Sequence, residues 1–177
     1  MTKGLFVLLI ATVLFAEEPT SLTPQDHFWK AFQALCGHSY EGQITIDNGK
    51  NKLEGLPRIE VQHCSEREMR ILFQIGDDRS RTWILTRTGS GLRLKHDHRH
   101  ADGSPDKITN YGGDTYDVGQ PTRQEFDVDQ ETVNLIPGTD KHQWVFEIHA
   151  GKVLAYELYR GGASKPGFRV ELALSVD

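Results

Sequence analysis

From Tyr40 to the C-terminus, apolar and polar residues alternate with a period of two, and short turn-forming clusters interrupt the alternation. Segments of this kind are Tyr40–Asp47, Arg58–His63, Met69–Ile75, Arg81–Arg87, Leu92–His98, Lys107–Tyr111, Arg123–Phe126, Thr132–Ile136, Trp144–His149, Val153–Tyr159 and Phe168–Leu174. Between them lie Asp47-Asn48-Gly49, Gly76-Asp77-Asp78, Gly89-Ser90-Gly91, Asp102-Gly103, Pro137-Gly138, Ala150-Gly151 and Gly161-Gly162. No long helical period intervenes, which disfavours a parallel sheet with crossover helices. The chain reads as all-β, with strands joined by hairpins.

About ten short strands in sequence-adjacent hairpins must close on themselves or pack as two sheets, because a long open sheet exposes unpaired edges. Closure is favoured by the alternation itself. Phe168, Val170, Leu172 and Leu174 share one face opposite Arg169 and Glu171, and Leu154, Tyr156 and Leu158 share another opposite Glu157. The expectation is an antiparallel up-and-down β-barrel of lipocalin-like (calycin-like) architecture, with a two-sheet β-sandwich as the alternative. The lipocalin Gly-x-Trp signature is missing, so the likeness is architectural only. One short N-terminal helix is predicted from Thr23-Pro24-Gln25-Asp26, where Thr23 caps and Pro24 takes the first turn. Phe28, Trp29, Phe32 and Leu35 then recur at helical spacing, and Gly37 ends the segment.

Ahead of that helix, Lys3 is followed by an uncharged apolar run from Leu5 to Phe15, then Ala16 and the acidic Glu17 and Glu18. This order is that of a secretory signal peptide over residues 1–16, leaving 17–177 as a single domain. The run falls short of the roughly 20 apolar residues a membrane span needs, so no transmembrane segment is expected in the mature form. Export would place the protein in the periplasm or outside the cell, soluble and in an oxidising setting. Two cysteines remain, Cys36 and Cys64, and in such a compartment a disulfide between them is expected. The formal net charge of −5, dispersed along the chain, argues against nucleic acid as a partner.

The densest concentration of polar chemistry lies in the hairpin of Arg81–Arg87 with Leu92–His98 and in the residues that follow. Side chains two apart in a strand share a face, so Leu92, Leu94, His96, His98 and His100 point one way and Arg93, Lys95, Asp97 and Arg99 the other. A His-x-His pair can give two nitrogens to Zn²⁺ or Cu²⁺, with His100 as a third, and these three histidines are the candidate metal ligands. The competing reading makes them hydrogen-bonded rim residues paired to Asp102, Asp106 or Asp114. A general acid/base or haem ligand is a further reading, and it needs a single histidine facing a cavity. Arg81, Trp83 and Tyr111 are the candidate contacts to a small ligand, the arginine for an anionic group. Against this, the row Arg79, Arg81, Arg87, Arg93 and Arg99 also fits an ion-paired outer face, Trp83 fits core packing, and Tyr111-Gly112-Gly113-Asp114 fits a bulge or turn.

The runs DDRSRTWILTR (77–87), GLRLKHDHRHADGS (91–104) and YGGDT (111–115) resemble segments shared by a group of uncharacterised exported bacterial proteins. The resemblance implies export from a Gram-negative cell and a single undivided domain, and it transfers no catalytic residue. Three roles therefore stand as expectations: a barrel that binds a small molecule or serves the envelope without catalysis, a metal-binding protein or metal-dependent enzyme built on the histidine row, and an interaction module using the Arg/Lys/Asp face. A polar hollow near the histidines would favour the first, and an interior filled with Phe, Trp and Leu a structural or partner role.

Overall fold

A computed structural model describes residues 21–49 and 54–175, so the signal peptide expected over 1–16 lies outside the described residues. Ten strands form one closed antiparallel barrel in the order β1-β10-β9-β8-β7-β6-β5-β4-β3-β2. They are β1 (Ser39–Asp47), β2 (Pro57–Cys64), β3 (Glu68–Ile75), β4 (Asp78–Arg87), β5 (Leu92–His98), β6 (Tyr111–Thr115), β7 (Arg123–Val128), β8 (Gln143–His149), β9 (Val153–Tyr159) and β10 (Phe168–Ala173). Each strand pairs with its sequence neighbours, and β1 closes the ring by pairing with β10 as well as β2. Closure disposes of both sheet edges, which a sandwich would have left to manage.

The inner face is apolar and the outer face charged. Ile59, Val61, Ile71, Trp83, Leu85, Leu94, Phe126, Phe146, Leu154 and Val170 are almost completely buried. Outside, Arg123 and Arg169 ladder across β7 to β10 through Glu125, Glu147, Glu157 and Glu171. That polarity is the reverse of a lipid-facing barrel, whose apolar band points outward. Among the described residues no helix is long and apolar enough to cross a membrane.

One end of the barrel is plugged by α1 (Pro24–Gln33). Thr23 caps it in a reciprocal box with Asp26, and Phe28, Trp29 and Phe32 turn inward. Phe32 meets Phe146 edge-on at 5.2 Å between ring centroids, so the helix packs directly on the barrel core. Arg87 secures it twice, through Asp26 at 2.7 Å and over the ring of Trp29 at 4.8 Å. Beyond the helix the chain turns through Gly37, whose φ of +79° suits glycine, and Cys36 forms the disulfide with Cys64 at the end of β2. The helix, the disulfide and the barrel therefore stand as read from the sequence.

Two of the expected strands are corrected. Thr132–Ile136 is helical: α2 (Gln130–Leu135) starts at Asp129, whose side chain accepts the Thr132 N–H. The Val133/Leu135 alternation mimicked a strand, while the Asp129 cap was the signal for a helix. Lys107–Tyr111 is mostly loop, and the strand β6 begins only at Tyr111. Its two glycines are neither bulge nor turn but strand interior. A Cβ on Gly112 would fall 1.9 Å from the Leu94 carbonyl oxygen, and one on Gly113 1.7 Å from that of Asp127. Where β7 ends, α2 takes over the exposed backbone of β6. Gly112 donates its N–H to Thr132 Oγ1, and its carbonyl accepts from the same hydroxyl and from the Asp129 N–H. Lys95, on the outer face beneath α2, is paired to Asp129 at 2.6 Å and Glu131 at 3.2 Å.

Candidate functional site at the barrel mouth

Opposite α1 the barrel opens between the β5–β6, β7–β8 and β9–β10 connections. A cavity of about 380 Å³ sits in this mouth. Its apolar walls are Ile108, Ile136, Trp144 and Leu158, and its polar groups are His98, Asp106, Tyr111, Thr139, His142 and Tyr156. A volume of a few hundred Å³ with apolar walls and a few convergent polar groups is the usual form of a small-molecule site. Another concavity of similar volume lies on the outside of the barrel at the β6–β7 connection, lined by Asp117–Gln120, Arg123 and Glu125. Its arginine is already paired to carboxylates, and no aromatic ring lines it.

Beneath the mouth the interior is filled. Trp83 stacks on Phe73 at 4.3 Å and on Tyr156 at 4.5 Å, and meets Phe146 edge-on at 5.1 Å. Tyr156 forms the floor of the cavity and the top of this aromatic stack. The interior thus divides into a packed lower part and a polar hollow at the histidines.

The β4–β5 register explains what reaches that hollow. Trp83 pairs with His96 and Arg81 with His98, and residues directly opposite in an antiparallel pair point to the same side. Leu92, Leu94 and His96 face inward as expected, with His98 half-buried at the rim. Asn110 then takes a left-handed conformation, φ 58°, and donates its N–H to the His96 carbonyl, which delivers Tyr111 opposite His96. The Tyr111 ring stacks on the imidazole at 4.7 Å with only 8° between planes.

Both ring nitrogens of His96 are engaged. Nδ1 lies 3.1 Å from the Tyr111 backbone carbonyl, which can only accept, so Nδ1 carries the proton. Nε2 is then the acceptor and receives the Tyr156 hydroxyl at 2.7 Å. Burial pushes the imidazole down to about 3, so it is neutral under ordinary conditions. One strand position further, His98 Nε2 and the Tyr111 hydroxyl are hydrogen-bonded at 3.0 Å. Burial and then the Arg81 charge lower His98, while burial raises Tyr111 to about 12 and lifts Tyr156 well above its ordinary value.

The histidines therefore bond to tyrosines rather than to the aspartates expected of them. Only His100 faces such a partner, with Asp106 4.0 Å away, and it is exposed. His96, His98 and His100 do not converge, and among the described residues no cluster of three or more His, Cys, Asp or Glu side chains is set to hold a metal ion. Of the three candidate ligand contacts, Tyr111 lines the cavity, Trp83 supports its floor from below, and Arg81 stands at its side, paired to Asp78 at 2.8 Å. The arginine row is also corrected. Arg93 and Arg99 lie outside on Asp114 and Asp97, but Arg81 and Arg87 share the inward face of Trp83 and Leu85, one at each end of the barrel. Sequence reasoning missed Tyr156, His142 and Trp144. The inward period of β8 and β9 contained Trp144 and Tyr156, but nothing local marked them as lining rather than core.

Compared with protein-family models, curated proteins and solved structures, the chain finds no match.

Proposed function

We propose that this is an exported, water-soluble barrel that binds a small molecule in its mouth and does not transform it. The cavity of about 380 Å³ above Tyr156 carries this reading, because it opens above the packed interior and gathers apolar walls around fixed polar groups. A binding role is further supported by the state of those groups. On the cavity wall burial pushes the Tyr111 hydroxyl up to about 12, and beneath the floor burial pushes His96 down to about 3, which suits fixed hydrogen-bonding roles for these two groups better than proton exchange near neutrality. Export rests on the Lys3, Leu5–Phe15, Ala16 sequence and is supported by the Cys36–Cys64 disulfide, which suits the periplasm or the extracellular space.

Anilinonaphthalene sulfonate, a dye that brightens in apolar sites, tests the mouth. Saturable one-to-one binding to the folded protein is expected, and Ile108→Trp should block it, since Ile108 is half-exposed on the cavity wall and its replacement leaves the core untouched. Dye binding that never saturates, or that Ile108→Trp leaves unchanged, would contradict the proposal.

A further inference from the structure

The hydrogen-bond order beneath the mouth determines what the cavity floor offers to a ligand. The Tyr111 carbonyl forces the proton of His96 onto Nδ1, so the Tyr156 hydroxyl spends its own proton on Nε2. What remains at Tyr156 Oη is lone pairs. The oxygen cannot turn to donate elsewhere without leaving a fully buried imidazole nitrogen unpaired, and its ring packs against Trp83 at 4.5 Å and Phe146 at 5.3 Å. The floor is thus a pre-set acceptor, and a site that loses a buried hydrogen bond discriminates strongly against the analogue lacking it.

The surroundings narrow the donor. Tyr111 and Trp144 form an aromatic wall, their centroids 6.0 Å apart, and Ile136 and Leu158 complete an apolar slot suited to a flat ring. Arg81 and Arg160 both bring positive potential to the Tyr156 hydroxyl. A neutral hydroxyl donor suits this floor better than a cationic amine, which would bring a further positive charge toward the two arginines. The one carboxylate on the lining, Asp106, is at the rim beside His98 and His100.

Building on the binding role proposed above, we infer that the mouth selects flat aromatic molecules carrying a hydroxyl group, of the phenol class, which donate that hydroxyl to Tyr156 Oη. His96 acts here as a positioning residue: it touches no ligand and sets the direction in which Tyr156 bonds.

The test uses 2-naphthol and its methyl ether, which share a ring system and differ in the donor. Calorimetric titration of the wild-type protein should show the naphthol binding about ten-fold more tightly or better, the equivalent of one good hydrogen bond. In Tyr156→Phe that preference should vanish, with an unchanged circular dichroism spectrum. Equal affinities in the wild type, or a preference that survives in Tyr156→Phe, would overturn the inference while leaving the mouth as a binding site. Failure of both compounds, together with failure of the naphthalene dye, would overturn the binding role itself. Should Tyr156→Phe not fold, nitrogen NMR of the wild-type His96 ring decides: a proton on Nδ1 supports the inference and a proton on Nε2 overturns it.

Discussion

His96 and Tyr111 are joined twice, face to face at 4.7 Å between ring centroids and through a 3.1 Å hydrogen bond from imidazole Nδ1 to the Tyr111 carbonyl. The double contact couples the end of β5 to the start of β6 at the level where the packed interior gives way to the cavity. It also makes His96 a stability determinant with a defined pH dependence.

In the unfolded chain His96 takes up a proton below about pH 6.5. Folded, it resists protonation until about 3. Between those values the unfolded state binds more protons, so acidification through this window favours unfolding, and stability is fully present only above it. The urea midpoint should fall from about pH 7 to about pH 4.5 in the wild type, and fall less in His96→Phe. Parallel pH profiles for the two proteins would refute this role.

At the other end, Asp26 serves both the Thr23 capping box and the Arg87 bridge, and these contacts hold its carboxyl well below the usual carboxylate range. Asp26→Ala should cost about 1–2 kcal/mol in chemical denaturation, since it removes the capping-box partner of Thr23 and the Arg87 bridge together. Because the folded carboxyl is the stronger acid, its contribution is present above about pH 4 and fades as pH falls below that. A stability unchanged by the substitution would show that the helix is held by its aromatic face alone.

Gly113→Ala should destabilise the barrel by about 1–3 kcal/mol or prevent folding, since the added methyl would collide with the Asp127 carbonyl of the neighbouring strand. Gly103→Ala is the contrasting case. There a Cβ meets nothing within 4 Å, and only the cost of φ +83° is felt. Equal effects at the two sites, measured by thermal unfolding, would argue against the close approach.

Reducing the Cys36–Cys64 disulfide, or replacing both cysteines by serine, should lower stability by roughly 3 kcal/mol, as expected for a loop of this length. The linked segments are the exit of α1 and the end of β2, so the loss should appear first as amide exchange in the helix plug. Uniform loss of protection across the barrel would show that the disulfide acts on the whole fold instead.

Much of this architecture was legible because barrel closure depends on the two-residue period, which is local. Strands with strong alternation, such as Val153–Tyr159 and Phe168–Ala173, appear at the expected positions. Residues Gln130–Leu135 defeated the period because a short helix lying on an outer face needs few apolar residues, and its Val133 and Leu135 happen to alternate. Tyr111–Thr115 was obscured by glycines that weaken strand propensity but are required where three backbones crowd together. The inward placement of His96 and His98 was legible from spacing, but that of His100 was not, because the strand ends at His98, and the partners of the first two could not be read at all. Tyr156 is distant in sequence, and it reaches His96 only because the ring of strands closes.

A ligand that enters the mouth above Tyr156 must perturb the residues lining it. Amide NMR mapping during titration with anilinonaphthalene sulfonate tests it most directly. Saturable shift changes are expected at His98, Tyr111, Trp144, Tyr156 and Leu158. Changes concentrated instead at Asp117–Glu125 on the outside of the barrel, or no saturable change anywhere, would contradict it.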